Sequence, residues 1–315
     1  MNNASSSSIS LLGIPLDLGA QNLGVDIGPD AFRYQKIVDK LNSSGLTVTD
    51  GGTIACQDRS NLEVGNTRLR YLDEIVRVSK DAAQRTEATI REGKRIIALG
   101  GDHSINLGVV SGASAALEGK LGLIYLDAHG DMNTDETTLT GNIHGMHLAS
   151  LLGFGAKELA ELHGPAPKIA KQNLLHIGGS DWDQAELDLI KNEGLTAFTM
   201  LDFLSYGLAP LLSKINSLAQ HTPNVWVSLD LDVIDSIYAP GAGMPNKGGF
   251  SYREIAAIAA YIGQHCNVVG VDVVEYNPLQ DINRKTAELG IELIAKFFGA
   301  NYSWYSGYME DNKVD

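Results

Sequence analysis

The sequence predicts an α/β protein: a single-domain three-layer α/β/α structure around a central, mostly parallel eight-stranded sheet. The first observation behind this is alternation, with short runs rich in Val, Ile and Leu separated by longer segments of helical periodicity. The second is continuity: no Pro- or Ser-rich linker and no repeat period divides the 315 residues. Composition is the third, since 44% apolar and 20% charged residues supply a buried core and exclude a disordered chain.

Taken in order, the apolar runs place strands at 9–14, 46–49, 95–99, 121–127, 173–177, 196–199, 224–230 and 267–273. Helical patterns, with apolar residues three and four apart, occupy 69–92, 106–117, 186–192, 252–262 and 285–298. The charge-rich 69–92 segment reads as a solvated amphipathic helix. One domain is expected over 1–315. Within it, the Asn- and Ser-rich residues 1–8 read as a flexible tail, lacking the basic start and apolar stretch of a secretory signal. Residues 300–315 read as a C-terminal tail, in which Tyr302, Trp304, Tyr305 and Tyr308 are available to dock on the body or on a neighbouring subunit.

Charge and cysteine usage narrow the functional class. Twenty-four Lys plus Arg against 38 Asp plus Glu leave a net charge of −14, which repels phosphate backbones and anionic membrane surfaces. Neither nucleic acid nor membrane is an expected partner. Cys56 and Cys266 form no Cys-x-x-Cys pair and read as buried small hydrophobes. With no apolar run near the roughly 18 residues of a membrane helix, a reduced, cytoplasmic location is expected.

In an open parallel sheet, ligands bind beyond the carboxyl ends of the strands. Three junctions there carry unusual residues: Gly100-Gly101-Asp102-His103-Ser104, Asp127-Ala128-His129-Gly130-Asp131, and Ser228-Leu229-Asp230-Leu231-Asp232. Alternation in extended backbone lets Asp127, His129 and Asp131 project to one side, and Asp230 with Asp232 do the same from another strand. Asp102 and Ser104 alone are ordinary turn caps. Four carboxylates and two imidazoles ending neighbouring strands are different, because without cations they would repel one another severely. Oxygen-rich donors with some imidazole and no thiolate suit Mn²⁺, with Fe²⁺ or Co²⁺ next, and four carboxylates balance two dications. His144, in a short polar loop after the second motif, can shuttle protons. Glu275 is a spare carboxylate at the same sheet end, suited to a cationic substrate group.

Together these motifs resemble the ureohydrolase family, and the similarity runs from Gly13-Ile14-Pro15-Leu16-Asp17 through Gly24-Val25-Asp26-Ile27-Gly28-Pro29 and Ser251-Tyr252-Arg253-Glu254 to Glu275-Tyr276-Asn277-Pro278. Within the family the loop 133–145 has the arginase pattern. The resemblance implies an arginase-like fold and an amidinohydrolase that converts L-arginine to L-ornithine and urea, by attack of a hydroxide bridging two Mn²⁺. It makes His103, Asp127, Asp131 and Asp230 ligands of one ion and His129 and Asp232 ligands of the other, with Asp127 and Asp230 serving both. It assigns Asn133, Thr138 and Thr140 to the substrate α-carboxylate, Asp183 and Glu186 to the α-amino group, and counts Asn142 among the substrate-binding residues. Glu275 would receive the guanidinium, His144 would be the catalytic proton shuttle, and a homotrimer or hexamer is implied.

Several positions depart from the arginase pattern: Met244 for a usual Thr, Asn246 and Lys247 for small aliphatics, Ser180 for a frequent Arg, and His147 for a frequent Pro. The rival readings are a sister ureohydrolase acting on agmatine, guanidinobutyrate or formiminoglutamate, a one-zinc deacetylase of related fold, and a metal-binding homologue without turnover.

Overall fold

A computed structural model describes residues 7–302. Eight strands form one sheet: β1 (Ile9–Ile14), β2 (Val48–Thr53), β3 (Arg95–Gly100), β4 (Gly122–Asp127), β5 (Leu174–Gly178), β6 (Ala197–Thr199), β7 (Val225–Asp230) and β8 (Val268–Val274). Their order across the sheet is β2-β1-β3-β8-β7-β4-β5-β6. Every pairing is parallel, so the expected "mostly parallel" sheet is parallel throughout.

All eight expected strands are present, with ends displaced by a residue or two except at β2. There, 46–49 becomes Val48–Thr53, because the polar Asp50-Gly51-Gly52-Thr53 extends the edge strand where periodicity carries no signal. The expected helices become α3 (Leu72–Arg91), α4 (Asn106–Ala116), α7 (Gln184–Glu193), α10 (Tyr252–His265) and α11 (Lys285–Phe297). Unforeseen are α1 (Gly28–Tyr34), α2 (Ile37–Ser43), α5 (His147–Leu151), α6 (Lys157–Ala160), α8 (Met200–Tyr206) and α9 (Leu208–His221). Most of these are too short for a repeating apolar stripe, and α9 carries Pro210 in its first turn, where the missing N–H costs nothing.

Strand residues alternate between two cores, as a sheet covered on both faces requires. Ile97, Leu99, Ile124, Leu126, Val227 and Leu229 pack with α1, α2, α9, α10 and α11 on one side. Ile96, Ala98, Leu123, Tyr125 and Trp226 pack with α3, α4 and α5 on the other. Helix α3 has one buried face, Ile75, Val78 and Ala82, and a solvated opposite face. Cys56 and Cys266 are half-buried at the margins of these cores and not fully buried as expected.

Two expectations about the ends need correction or fall outside. Ser8 is not tail, since its carbonyl accepts the Arg95 N–H at 2.9 Å and continues the β1–β3 pairing. Met1 to Ser6 and the aromatic residues Trp304, Tyr305 and Tyr308 lie outside the described residues, and Tyr302 is buried against the core. No helix among the described residues is long and apolar enough to cross a membrane.

Candidate metal centre and active site

The four central strands β3, β8, β7 and β4 end side by side, and each delivers a functional residue just past its carboxyl end. This is where the strand order reverses, since β1 and β2 run to one edge and β5 and β6 to the other. At the end of β3, Gly101 is required by contact: a Cβ there would lie 1.9 Å from the Leu16 carbonyl oxygen. Asp102 caps the following turn. Its carboxylate accepts the N–H of Gly19 at 2.7 Å and of Ser104 at 2.9 Å, and burial, then the Glu275 charge, pushes it up to about 6.

The six predicted metal ligands fall into overlapping clusters. His103, Asp127 and Asp230 form one and Asp127, His129 and Asp232 another, with ligand atoms within 4.8 Å of one another in each. Asp127 belongs to both. His103 Nδ1 is 3.0 Å from Asp127, 3.2 Å from Asp230 and 3.4 Å from Asp131, while His129 Nδ1 is 2.9 Å from Asp232. A third cluster joins His103 and Asp131 to His147.

Extended-strand alternation is not what aligns these groups. β4 stops at Asp127, and Asp131 returns to the site through a left-handed backbone, φ 51°. Likewise β7 stops at Asp230, whose carboxylate accepts the N–H of Asp232 within a short 3₁₀ turn.

The donors are buried and cannot all be ionised by themselves. Burial, then the Asp127 charge, pushes Asp131 up to about 8, and burial with Asp232 and Asp127 drives Asp230 well above the usual carboxylate range. Burial opposes the protonated form of His103, yet the hydrogen bonds it donates to Asp127 and Asp230 hold it far above an ordinary imidazole. One shared hydroxyl shows how poorly protons alone serve the site. Tyr125 Oη carries a single hydrogen but lies 2.6 Å from Asp131, 2.8 Å from Asp127, and 3.1 Å from both His103 Nδ1 and His147 Nε2. Such a convergence of lone pairs fits divalent cations.

Behind His103 runs a supporting chain. Its Nε2 lies 2.8 Å from Ser228 Oγ, and Ser228 donates to Asp272 at 2.7 Å. Asp272 also accepts from Asn106 at 2.8 Å and from the Trp226 indole. With the Ser228 proton committed to Asp272, His103 donates from Nε2 and keeps the Nδ1 lone pair for a metal. On the other side, His176 Nε2 donates to the His129 carbonyl at 2.7 Å.

Glu275 follows β8 with φ 58°, and its carboxylate accepts the His103 N–H at 3.0 Å. His144 Nδ1 stands 3.3 Å from the same oxygen. Burial would pull the His144 imidazole down, but that hydrogen bond and the Glu275 charge prevail and hold it up at about 9. Gly243 leaves the room this carboxylate needs, because a Cβ would come within 2.5 Å of Oε2. No arginine pairs with Glu275 among the described residues.

His129, Asp131, His144, Glu186, Asp230, Asp232, Met244 and Glu275 together line one cavity of about 160 Å³. Asn133, Thr138, Thr140, Asn142 and Asp183 stand outside that wall. Asn133 donates to Asp183 at 2.7 Å, and Thr138 and Thr140 accept the N–H groups of Gly141 and Asn142 at 3.0 and 3.2 Å. Asp183 and Glu186 form a capping box at the start of α7, and Glu186 also accepts the Met132 N–H at 3.2 Å. The Oδ1 of Asn142 is buried with no partner.

The chain's match to known proteins agrees with this geometry. The model of the arginase family covers residues 7–299. The chain belongs to the arginase family. It is 38% identical to the arginase of Brevibacillus brevis over 294 residues, covering 93% of this chain and 98% of that one. The crystal structure of Bacillus caldovelox arginase superposes with a TM-score of 0.90 at 36% identity, covering 94% of this chain and 99% of that chain. That of Bacillus cereus arginase does so at 0.87 and 37% identity, covering 94% and 100%. This arginase-family chain is therefore a metal-dependent hydrolase of the ureohydrolase type, which removes the deacetylase reading.

Three participants had gone unassigned. Tyr125, two residues before Asp127 in β4, was legible by alternation as sharing its face. Asp272 stands out as the one charge in the strand Val-Val-Gly-Val-Asp-Val-Val. His147 had been noted only as a departure from pattern.

Proposed function

We propose that this chain hydrolyses L-arginine to L-ornithine and urea at a pair of Mn²⁺ ions. His103, Asp127, Asp131 and Asp230 would hold one ion and His129 and Asp232 the other, with Asp127 and Asp230 shared. When bound, such a pair supplies hydroxide near neutral pH and stabilises negative charge developing on the substrate. The observation that carries the reading is that Glu275 and His144 open into the same cavity as the ligand clusters.

The substrate head group is a planar cation at any physiological pH, and delocalisation deactivates its carbon. Glu275 supplies the fixed counter-charge that orients it, while the His103 N–H pins that carboxylate in place. His144, 3.3 Å from Glu275, delivers a proton from its imidazole to the departing amine nitrogen, without which the C–N bond does not break. Asn133, Thr138, Thr140 and Asn142 would meet the α-carboxylate, and Asp183 and Glu186 the α-amino group, as the amino-acid end emerges from the cavity. The unpartnered Asn142 oxygen supports a polar ligand beside that loop.

A homo-oligomer in the cytoplasm completes the proposal. Leu201 and Leu204, one turn apart on α8, are 73% and 78% exposed, and neighbouring Tyr206 is 70% exposed, an apolar face that a second subunit would cover. Two half-buried free cysteines suit a reducing compartment.

One observation favours a different guanidino acid: Met244 places a thioether, not a hydroxyl, on the wall beside Glu275. The deciding experiment offers Mn²⁺-loaded protein L-arginine, agmatine and guanidinobutyrate with urea as readout, and formiminoglutamate with formamide as readout. L-arginine is expected to give the highest kcat/KM. Turnover of another substrate with none of L-arginine overturns the assignment.

A further inference from the structure

His147 is the first residue of α5 and is completely buried. Its Nδ1 lies 2.6 Å from the His144 carbonyl oxygen, a contact that requires the proton on Nδ1 and leaves the Nε2 lone pair free. That Nε2 is 3.1 Å from the Tyr125 hydroxyl, the same atom on which His103 Nδ1, Asp127 and Asp131 converge. The His147 and His103 rings are 4.4 Å apart between centroids, and with Asp131 they form a compact group of three donors.

A buried imidazole whose free lone pair is aimed into a ligand cluster needs either a donor or a cation. Tyr125 has one hydrogen, and Asp131 at 2.6 Å and Asp127 at 2.8 Å take it ahead of a nitrogen at 3.1 Å. Asp131 lies nearest the other ring nitrogen, Nδ1, at 3.6 Å, and the Tyr125 hydroxyl is the one hydrogen-bond contact of Nε2 among the described residues.

We propose that His147 Nε2 is an additional ligand of the more deeply buried of the two ions, the one served by His103, Asp127, Asp131 and Asp230. This rests on the two-metal reading above. A second imidazole in an otherwise carboxylate-rich set raises affinity for Co²⁺ and Ni²⁺ more than for Mn²⁺, because nitrogen donors favour the later ions of the row. The site is thereby set apart in metal preference from its neighbour, where His129 is the sole nitrogen among the clustered donors.

The test uses the full chain and the metals alone. Wild type, His147→Ala, His147→Gln and Tyr125→Phe are each loaded with Mn²⁺, Co²⁺ or Ni²⁺, and bound metal is counted after competition with a chelator. The visible spectrum of the Co²⁺ forms is recorded alongside, with circular dichroism to confirm folding. Expected in both His147 variants is a loss of roughly ten- to a hundredfold in affinity for Co²⁺ and Ni²⁺ at one ion per chain, with a smaller loss for Mn²⁺ and an altered Co²⁺ spectrum. If His147→Ala does not fold, His147→Gln alone decides. Unchanged metal preference and an unchanged Co²⁺ spectrum would overturn the proposal, as would a Tyr125→Phe variant that reproduces the full loss, since His147 would then act only through that hydroxyl. A wild type that binds no second ion fails the two-metal reading itself and is told apart by its stoichiometry.

Discussion

His144 Nδ1 and Glu275 Oε1 face each other across 3.3 Å, and that oxygen also accepts the His103 N–H. The proposed proton carrier and the proposed counter-charge for the substrate cation are thus one unit, anchored to the backbone of His103. Replacing His144 by Ala removes the proton carrier without touching a ligand side chain. Two bound metals per chain are expected to remain by elemental analysis, while kcat for urea release falls roughly 10²–10⁴-fold. Unchanged turnover would take His144 out of the reaction.

Asp127 is the one residue common to the two principal clusters, whereas His129 sits in a single cluster. Asp127→Ala is therefore expected to bring bound metal towards zero, and His129→Ala to leave about one ion per chain. Chelation of the wild type should lower its melting temperature, because an ion at a hundred times its Kd contributes about 2.7 kcal/mol to the folded state. A chain whose melting is indifferent to metal would contradict the scheme.

Glu74, on α3, accepts hydrogen bonds from Gln57 at 2.9 and 3.1 Å and from Arg77 at 2.7 Å, tying the strand-to-helix loop to the helix. The Arg77 hydrogen bond, against the cost of burial, holds its carboxyl below the usual value. A lowered folded pKa means that the stabilisation is complete above the unfolded pKa and is lost as pH falls through the folded one. Glu74→Gln should then cost about 1–2 kcal/mol in denaturant unfolding at pH 7, discounted for the exposed arginine, and converge on wild type as pH falls through the lowered folded-state pKa. A gap that persists in acid would point to packing instead of charge.

Met244 lines the cavity beside Glu275 and is partly exposed. Met244→Thr is expected to raise kcat/KM for L-arginine by up to about tenfold, the worth of one added hydrogen bond to the guanidinium. A fall in arginine turnover with a gain for another guanidino acid would show that Met244 selects that substrate.

The layered architecture was legible because a strand buried between two cores must be apolar on both faces and so reads as an unbroken run, as in Ile96-Ile97-Ala98-Leu99. Legibility failed where local backbone geometry decides. No pattern announces the left-handed turns at Asp131 and Glu275, which aim both carboxylates and are tolerated only because the surroundings overdetermine them. The short helices α1, α2 and α8 escaped for want of length. His147 escaped because one imidazole in a loop is ambiguous until its neighbours Tyr125 and His103, far away in sequence, are folded against it.

β8 is the last strand in chain order, yet it inserts between β3 and β7, and Glu275 follows it. A nascent chain that has emerged only through α10 therefore has its third and seventh strands separated by an unfilled gap, with His103 held apart from the carboxylates that end the adjacent β7 and β4. The ion served by His103 is thereby made to wait for the last strand, and a ribosome-stalled fragment lacking the final fifty residues should bind metal less tightly than the full chain, through the β4 and β7 donors alone.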